Sequence, residues 1–349
     1  MQVHRHLFER ITSTENLFTA WEEFRKGKQG RKDVQDFERN FEQNLFRLHR
    51  ELIAGTYRHQ PYSAFTICDP KQRRIHKATV RDRILHHAVF SVLNPIFEPT
   101  FIAHSFSCRR SKGTHKAVDA LERMLRSVSR NGTRPCFVLK CDIHQFFASV
   151  DHDILLGILE KRLKDEKAIA LLREIVESFT AKDPTIFGHS GIPIGNLTSQ
   201  LFANIYLNEF DQFIKQKLKI KRYVRYTDDF VIVAGSYEEL EGVLLPIRSF
   251  LKEQLHLELH PRKVTIRKYR QGIDFLGYVL LPHHRVLRTR AKRRIVRKLR
   301  ERVAAHKAGL ITKESVEQSL QSYLGVLSHA NCYRLSQDFQ NQCWFLLQE

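Results

Sequence analysis

The chain has 349 residues, of which 42% are hydrophobic and 28% are charged, a composition typical of globular proteins and not of disordered ones. It contains 58 Lys and Arg against 38 Asp and Glu, so its formal net charge is +20. Such an excess of positive charge favours a polyanionic partner, with nucleic acid as the first candidate, although a merely basic soluble protein would also show it.

No segment that would direct the chain to a membrane is apparent in the sequence. The chain has no apolar run long enough for a transmembrane helix, and its N-terminal residues lack the apolar core and cleavage site of a signal peptide. The six cysteines form no CxxC pair and no zinc-binding spacing with histidine. We therefore expect reduced thiols in a cytoplasmic protein with no membrane partner.

Hydrophobic periodicity predicts helices at both ends of the chain and a mixture of strands and helices between them. Helices are predicted at 14–26, 33–54, 81–94 (ended by Pro95), 114–129, 151–163, 167–179, 196–217, 237–253, 290–308, 312–328 and 333–347. Strands are predicted at 62–68 and 73–76 around a Pro70-Lys71 turn, at 136–139, in a hairpin over 223–233, and at 257–259, 263–267 and 273–279. A loop rich in Gly and Pro is predicted at 183–195. This mixture indicates an α+β core flanked by helices.

Three acidic residues interrupt apolar strands, where charged side chains are normally excluded. Asp142 follows the strand 136–139, and Asp228 and Asp229 lie at the turn of the hairpin. Carboxylates gathered at strand ends can hold divalent cations, and two such ions about 4 Å apart can support an in-line displacement at phosphorus. For the Asp-Asp pair alone, an exposed turn is the ordinary alternative.

Four motifs, in order across about residues 60–280, resemble those of reverse transcriptases. They are CDIHQFFASVD (141–151), GIPIGNLTSQ (191–200), the Tyr-x-Asp-Asp box at 226–229 and FLGY (275–278), which resembles the hairpin that grips the primer end. The resemblance implies an RNA-directed DNA polymerase with a right-hand fold of fingers, ferredoxin-like palm and helical thumb. The implied bounds are a helical extension at 1–60, fingers at 61–135, a palm at 136–282 with fingers elements at about 160–190, and a thumb at 283–349.

The resemblance also implies how the metal site is built. Two Mg²⁺ ions, or Mn²⁺ in their place, would be bound by Asp142 and Asp228 with help from the backbone carbonyl of Ile143. Asp229 would support the site from beside it. Lys263 lies where the family places a lysine that can protonate the leaving pyrophosphate, and an ordinary exposed lysine is the alternative.

The incoming dNTP would contact residues from three segments. Phe147 resembles a steric gate that clashes with a 2′-OH, with a core phenylalanine as the alternative. Ile194 and Gly195 belong to the second motif. From the basic segment 71–84 we choose the triphosphate ligands Arg74, Lys77 and Arg83, and we set aside Lys71, Arg73 and Arg81, some of which are expected to face solvent.

Template and primer would contact a further set of residues, most of them basic. In a helix over 290–308, Ile295, Leu299 and Val303 share one face and leave the arginines outward, although a solvated helix face would look the same. The implied contacts are Arg109 and Lys112 (to template or triphosphate), Ser199, Gln200, Gly277, Arg290, Arg293, Arg294 and Arg297.

The second motif departs from the usual pattern of the family. Ile194-Gly195 and Ser199-Gln200 replace the common Gln-Gly and Ser-Pro pairs, and this variant resembles the reverse transcriptases of diversity-generating retroelements. Those enzymes copy a template-repeat RNA with errors opposite adenine, so that a target gene is diversified, and they work with a small basic accessory protein. Two alternatives stay open: a retron or abortive-infection type reverse transcriptase in phage defence, and a non-catalytic RNA-binding protein on a polymerase scaffold.

Overall fold

The computed structural model describes residues 3–69, 72–180 and 189–348, which form an α+β structure, as predicted. The helices are α1 Leu7–Thr12, α2 Thr14–Arg25, α3 Lys32–Glu38, α4 Phe41–Ile53, α5 Val80–Phe97, α6 Thr114–Ser129, α7 Phe146–Ser149, α8 His152–Arg162, α9 Glu166–Glu177, α10 Leu197–Gln212, α11 Tyr237–Gly242, α12 Leu244–Leu255, α13 Thr289–Lys307, α14 Lys313–Leu327 and α15 Tyr333–Gln348. The strands are β1 Ser63–Ile67, β2 Arg73–Lys77, β3 Phe137–Asp142, β4 Tyr223–Tyr226, β5 Asp229–Ala234, β6 Thr265–Lys268, β7 Ile273–Phe275, β8 Tyr278–Leu280 and β9 Arg285–Leu287.

A four-stranded antiparallel sheet, in the order β4-β5-β3-β6, carries the acidic residues. Leu139 and Cys141 of β3 pack into one hydrophobic cluster with α8, α10 and α12. Val138, on the other face, packs into a second cluster with α6 and the β7-β8-β9 sheet. Because both faces are covered, the strand is mostly apolar, and Lys140 and the terminal Asp142 are the exceptions.

The N-terminal helices form a layer that packs on α5. Leu17, Trp21 and Phe24 of α2 are buried in the first cluster together with Ile84 and Ala88 of α5. The helix predicted over 33–54 is divided at Arg39–Asn40 into α3 and α4. None of the described helices has the length and apolar character needed to cross a bilayer.

The prediction that Pro95 ends its helix is wrong. Helix α5 continues through Pro95 to Phe97, and the backbone N–H of Glu98 donates to the carbonyl of Asn94, so helical bonding resumes beyond the proline. An internal proline costs about 3 kcal/mol. Ile96 and Phe97 are buried, and this burial offsets the cost.

Several other predicted elements are shorter than expected. The helix over 237–253 divides at Val243, the strand over 273–279 divides at a turn, and 257–259 forms only an isolated bridge between Leu259 and Ile143. Asp228 lies in the β4–β5 turn, whereas Asp229 is already part of β5. The Pro70-Lys71 turn and residues 181–188, which include much of the predicted loop 183–195, lie outside the described residues.

A buried ion pair joins α10 to the edge strand β4. The Asp211 carboxylate accepts from Arg225 Nε at 2.8 Å, from Arg225 Nη2 at 2.6 Å and from the Tyr223 hydroxyl at 2.7 Å, and both charged side chains are 0% exposed. Arg225 Nη1 also donates to the carbonyl of Thr227 at 3.2 Å. The pair thereby fixes the turn that carries Asp228.

Replacing Asp211 by Asn should destabilise the protein strongly, because it leaves the buried Arg225 charge uncompensated. We expect a loss of about 3–5 kcal/mol in the free energy of unfolding, measured by urea denaturation. Glu209→Gln is the matched control on the same helix. Glu209 forms a solvent-accessible pair with Lys161 at 3.7 Å, so the substitution should cost about 1 kcal/mol or less. Equal losses in the two variants would contradict this role of the pair.

Candidate active site

The three acidic residues meet at one end of the central sheet. Asp142 ends β3 and lies directly opposite Asp229, which begins β5. The backbone N–H of Ile143 donates to the carbonyl of Asp228 at 3.1 Å, so the residue after Asp142 is tied to the turn. The structure thus brings together the carboxylates that the sequence separates by more than 80 positions.

The β4–β5 turn is held by a buried segment that precedes α6. Thr227 has a φ of 53°, a left-handed conformation that is uncommon for a threonine. Its hydroxyl donates to Ser107 Oγ at 2.6 Å, and the Ser107 carbonyl accepts from Asn204 Nδ2 of α10 at 2.9 Å. These contacts compensate the strained conformation and set the position of Asp228.

The electrostatics of the site favour a bound cation. Burial, reinforced by the negative charge of Asp229 and less strongly by that of Asp142, raises the pKa of Asp228 to about 6. Lys263 Nζ forms an ion pair with Asp142 Oδ1 at 2.8 Å. An oxygen-only set with excess negative charge is the chemistry that Mg²⁺ prefers.

The protein ligands alone do not complete a metal site. No group of three or more His, Cys, Asp or Glu side chains with the geometry to hold a metal ion occurs in the described parts of the chain. Asp142 and Asp228 could hold a divalent ion only if other oxygens complete its coordination. Mg²⁺ commonly binds in this way, through one or two carboxylates together with substrate phosphates and water.

The hairpin β7–β8 closes one side of the site. Its turn residues Leu276 and Gly277 have φ values of 50° and 90°. A cavity of about 340 Å³ is lined by both of them and by Asp142, Asp229 and Lys263. The sequence predictions for Gly277 and Lys263 therefore fall on residues that share one cavity with the carboxylates.

A polar network fixes this hairpin to strand β3, which carries Asp142. Lys140, two residues before Asp142 and so on the same face of β3, donates from Nζ to the Asp274 carbonyl at 2.9 Å. The Asp274 carboxylate pairs with Arg288, whose backbone N–H donates to the carbonyl of Gly277 at 2.9 Å. Lys140 and Arg288 are thus positioning residues for the turn, and the sequence motifs gave no indication of them.

A second cavity, of about 490 Å³, brings together Phe147, Ile194 and Arg74. The hairpin β1–β2 docks here, because the N–H of His76 donates to the Ile194 carbonyl at 3.1 Å. Gly195 has a φ of 116°, and a Cβ at this position would lie only 2.9 Å from Ile75 Cγ2. A side chain at this position would therefore require Ile75 to repack or the hairpin to move.

Two of the three cations chosen for the triphosphate are engaged by the N-terminal layer. Lys77 Nζ lies 2.8 Å from Asp33 Oδ2 of α3, and Arg83 pairs with the same carboxylate. The Arg83 guanidinium also lies 4.7 Å from the centre of the Phe24 ring. A role for these residues at a triphosphate stays a prediction.

Arg73, which the sequence analysis set aside, acts on the carboxylate site. Its positive charge lowers the pKa of Asp228 and partly offsets the raising effects described above. Arg73 and Arg74 are adjacent in β2 and therefore point to opposite faces of the hairpin. The alternation was visible in the sequence, but the face of the hairpin that is directed to the carboxylates was not.

The residues predicted to contact template have diverse surroundings. Arg109 is almost fully buried and is bound by Glu98 at 2.7 Å and by the carbonyls of Ile102 and Ser105. Lys112 Nζ donates to the Ala103 carbonyl at 2.8 Å, Ser199 is buried in α10, and Gln200 is half-buried. In α13, Ile295, Leu299 and Val303 are buried, as predicted. Arg290, Arg293 and Arg297 are exposed and Arg294 is half-buried.

The raised pKa of Asp228 predicts that this residue destabilises the metal-free fold. The folded state holds the proton more tightly than the unfolded chain, whose carboxyl titrates near 3.8, so stability falls as the pH rises from about 4 to about 6 and the loss is complete above that. Asp228→Asn should raise the free energy of unfolding by about 1–3 kcal/mol at pH 8 and by little at pH 4, measured by thermal unfolding in EDTA. Asp153→Asn, at an exposed position, is the control and should not raise the free energy of unfolding at pH 8. A gain that is independent of pH would contradict the prediction.

Comparison with known proteins agrees with this geometry. The family model described as reverse transcriptase (RNA-dependent DNA polymerase) matches residues 68–280, more than half of the chain. Protein YkfC of Escherichia coli (strain K12) is 28% identical over 283 residues, which cover 70% of this chain and 71% of YkfC.

Two further relatives are named for introns. Group II intron-encoded protein LtrA of Lactococcus lactis subsp. cremoris is 26% identical over 305 residues, which cover 68% of this chain and 49% of LtrA. Nuclear intron maturase 1 of Arabidopsis thaliana is 27% identical over 297 residues, which cover 57% of this chain and 40% of that protein. The chain thus spans about half the length of LtrA. From the family match and the carboxylate site together, the chain belongs to the reverse transcriptase family of RNA-dependent DNA polymerases.

Proposed function

We propose that this RNA-directed DNA polymerase transfers nucleotides at the end of the central sheet where Asp142, Asp228 and Asp229 meet. The observation that carries the proposal is the single cavity that joins two of these carboxylates to Lys263 and to the Leu276–Gly277 turn. In this proposal residues 61–135, with β1–β2, are the fingers, residues 136–282 are the palm with fingers elements at about 160–190, and residues 283–349, with α13–α15, are the thumb. Residues 1–60 form the helical extension.

Each protein group has a role in the transfer of a nucleotide to a primer 3′-OH. Divalent cations held by Asp142 and Asp228 supply charge neutralisation and activation of the attacking oxygen when bound. The positive charge of Arg73 lowers the pKa of Asp228, and Arg74 lines the cavity of Phe147 and Ile194, so both are fingers cations that could bind the triphosphate. Lys263, which is hydrogen-bonded to Asp142, can donate a proton to the leaving pyrophosphate.

In this proposal the sugar and the primer end are positioned by two different segments. The Phe147 ring lies in the cavity beside Ile194 and would exclude a 2′-OH. The Leu276–Gly277 turn, braced by Lys140 and Arg288, would hold the primer end. Rate enhancement then comes from positioning and from preorganised charge.

The direct test is primer extension on an RNA template with dNTPs and Mg²⁺. Wild-type protein should extend the primer, and Asp228→Asn should reduce extension by at least about 100-fold, because it removes a metal-binding charge from the site. Asp153→Asn, on the exposed first turn of α8, is the matched control and should keep full activity. Extension by Asp228→Asn at the wild-type rate would refute the site. Failure of wild-type protein to extend a bound template–primer with either Mg²⁺ or Mn²⁺ would refute the activity.

We propose further that synthesis is error-prone opposite template adenine, for diversification of a target gene from a template-repeat RNA. The support is the Ile194-Gly195 and Ser199-Gln200 variant of the second motif and the position of Ile194 beside Phe147. A small basic accessory protein and a cytoplasmic location belong to this proposal. The names of LtrA and the Arabidopsis maturase favour an intron-associated reverse transcriptase as the second candidate.

Ile194→Gln tests the error-prone proposal. Isoleucine packs but forms no side-chain hydrogen bond, and loss of one polar contact near the nucleotide weakens discrimination by about 1–2 kcal/mol, or about ten-fold. The variant should therefore reduce errors opposite adenine by about ten-fold in sequenced cDNA, whereas Ile194→Val, which stays apolar, should not change them. Accurate copying by the wild type would favour the second candidate, and an unchanged error rate in Ile194→Gln would remove Ile194 as the cause.

A further inference from the structure

The end of the central sheet opposite the carboxylates carries a second basic region. Strand β3 runs from Phe137 to Asp142, and Phe137 pairs with Lys268 of β6. At about 3.3 Å per residue, Lys268 therefore lies roughly 17 Å from the carboxylate end of the sheet. The basic residues around it do not belong to the site described above.

The first part of this region is a cleft of about 400 Å³ between residues 129–137 and 268–270. Arg134, Lys268 and Arg270 line it and are exposed. Arg270 Nη2 donates to the Gly132 carbonyl at 3.2 Å, which joins the two segments. None of the three cations has an ion pair with a carboxylate in the described parts of the chain, so their charges are available to a ligand.

A second, wider cleft of about 910 Å³ adjoins the first. The contact is direct, because a Cβ at Gly132 would lie 3.4 Å from Pro282 Cβ and 3.8 Å from His283 Cε1, and His283 lines the second cleft. Lys292 and Arg334 also line it without an ion pair in the described residues. Its Glu122 carboxylate is already paired with Arg126 and Arg285, each at 2.7 Å.

The second cleft also exposes rings. Tyr333 is 77% exposed, and the exposed His283 and His284 line the same cleft. Exposed rings beside cations are the combination that single-stranded nucleic acids use, with bases stacked on rings and phosphates paired with Lys and Arg. A small anion would occupy one cleft. Two adjoining clefts with separated positive charges instead favour an extended polyanion.

We propose that these two clefts bind a single-stranded part of the template RNA outside the copied stretch, through Arg134, Lys268, Arg270, Lys292 and Arg334 with stacking on Tyr333. The identity of the polyanion rests on the proposed function, because a polymerase of this family already holds an RNA template. The contacts are to phosphates and rings, so the surface binds RNA without reading its sequence. We call these five cations and Tyr333 the distal surface.

The test compares two template–primers that share one duplex, measured by fluorescence anisotropy in the Asp228→Asn background so that no extension occurs. One RNA ends close to the duplex, and the other carries about 40 unpaired nucleotides on each side, enough to span both clefts. The protein with the distal surface intact should bind the long RNA at least about ten-fold more tightly than the short RNA. Its affinity for the long RNA should also depend more steeply on salt concentration.

The distal variant replaces all five cations by Gln, and its matched control replaces the exposed cations Arg47, Lys164, Lys167, Lys252 and Lys313, so that both lose the same charge. The distal variant should lose the advantage of the long RNA and keep its affinity for the short one within about two-fold, while the control keeps the advantage. Tyr333→Ala should reduce the advantage about five-fold or more without a change in the salt slope. If the five-residue variant does not fold, the Lys268→Gln and Lys292→Gln double variant should give a smaller loss in the same direction.

Three results would overturn the proposal. The first is equal affinity of the protein with an intact distal surface for long and short RNA. The second is an equal loss of affinity for the long RNA in the distal and control variants. The third is an equal loss of affinity of the distal variant for both RNAs. Tighter binding of vesicles containing anionic lipid, or of an acidic polypeptide, than of the long RNA would assign the surface to another partner. Failure of the proposed function would show separately, as absent primer extension by wild-type protein on the short substrate.

Discussion

The buried pair of Arg225 and Asp211 is the constraint on which the geometry of the carboxylate end of the central sheet depends. A fully buried charge is tolerated only with a well-placed counter-charge and further hydrogen bonds, and here both are present. The pair connects α10, which begins in the second motif, to β4, which leads into the Asp228 turn. Through Thr227 and Ser107 the same network reaches the segment before α6. Helix, strand and turn are therefore fixed together and not one by one.

Around this constraint the site concentrates negative charge in a chain that is otherwise strongly basic. The three carboxylates meet at the sheet end, where Lys263 forms an ion pair with Asp142 and the positive charge of Arg73 lowers the pKa of Asp228. Repulsion between these carboxylates lowers the free energy of unfolding. A bound cation would relieve that repulsion, so the same arrangement favours cation binding. Lys140 and Arg288 then serve geometry, because they bind a backbone carbonyl and a carboxylate of the adjacent hairpin.

Local patterns predicted the fold class and most elements, and helix α6 has the predicted bounds. They failed where tertiary burial decided the outcome. At Pro95, for example, the burial of Ile96 and Phe97 offsets the cost of a proline inside α5. The carboxylates were found because acids in apolar strands are conspicuous. The surroundings of Lys77 and Arg83 could not be found in this way, because their partner Asp33 lies more than 40 residues earlier in the chain. Arg73 and Arg74 point to opposite faces of the β1–β2 hairpin. Which of the two faces is directed to the carboxylates depends on how the hairpin docks, and the local sequence does not show this.

That docking depends on Gly195, where the nearest atom of the β1–β2 hairpin occupies the space of a side chain. The absence of a side chain at residue 195 therefore lets the hairpin contact the loop before α10 directly. A methyl group there would clash with Ile75 Cγ2, so the hairpin would have to move away from the loop or Ile75 would have to repack. A larger residue at position 195 therefore requires either a repacked Ile75 or a wider separation of hairpin and loop, so the size of this one residue limits how closely the two segments can approach.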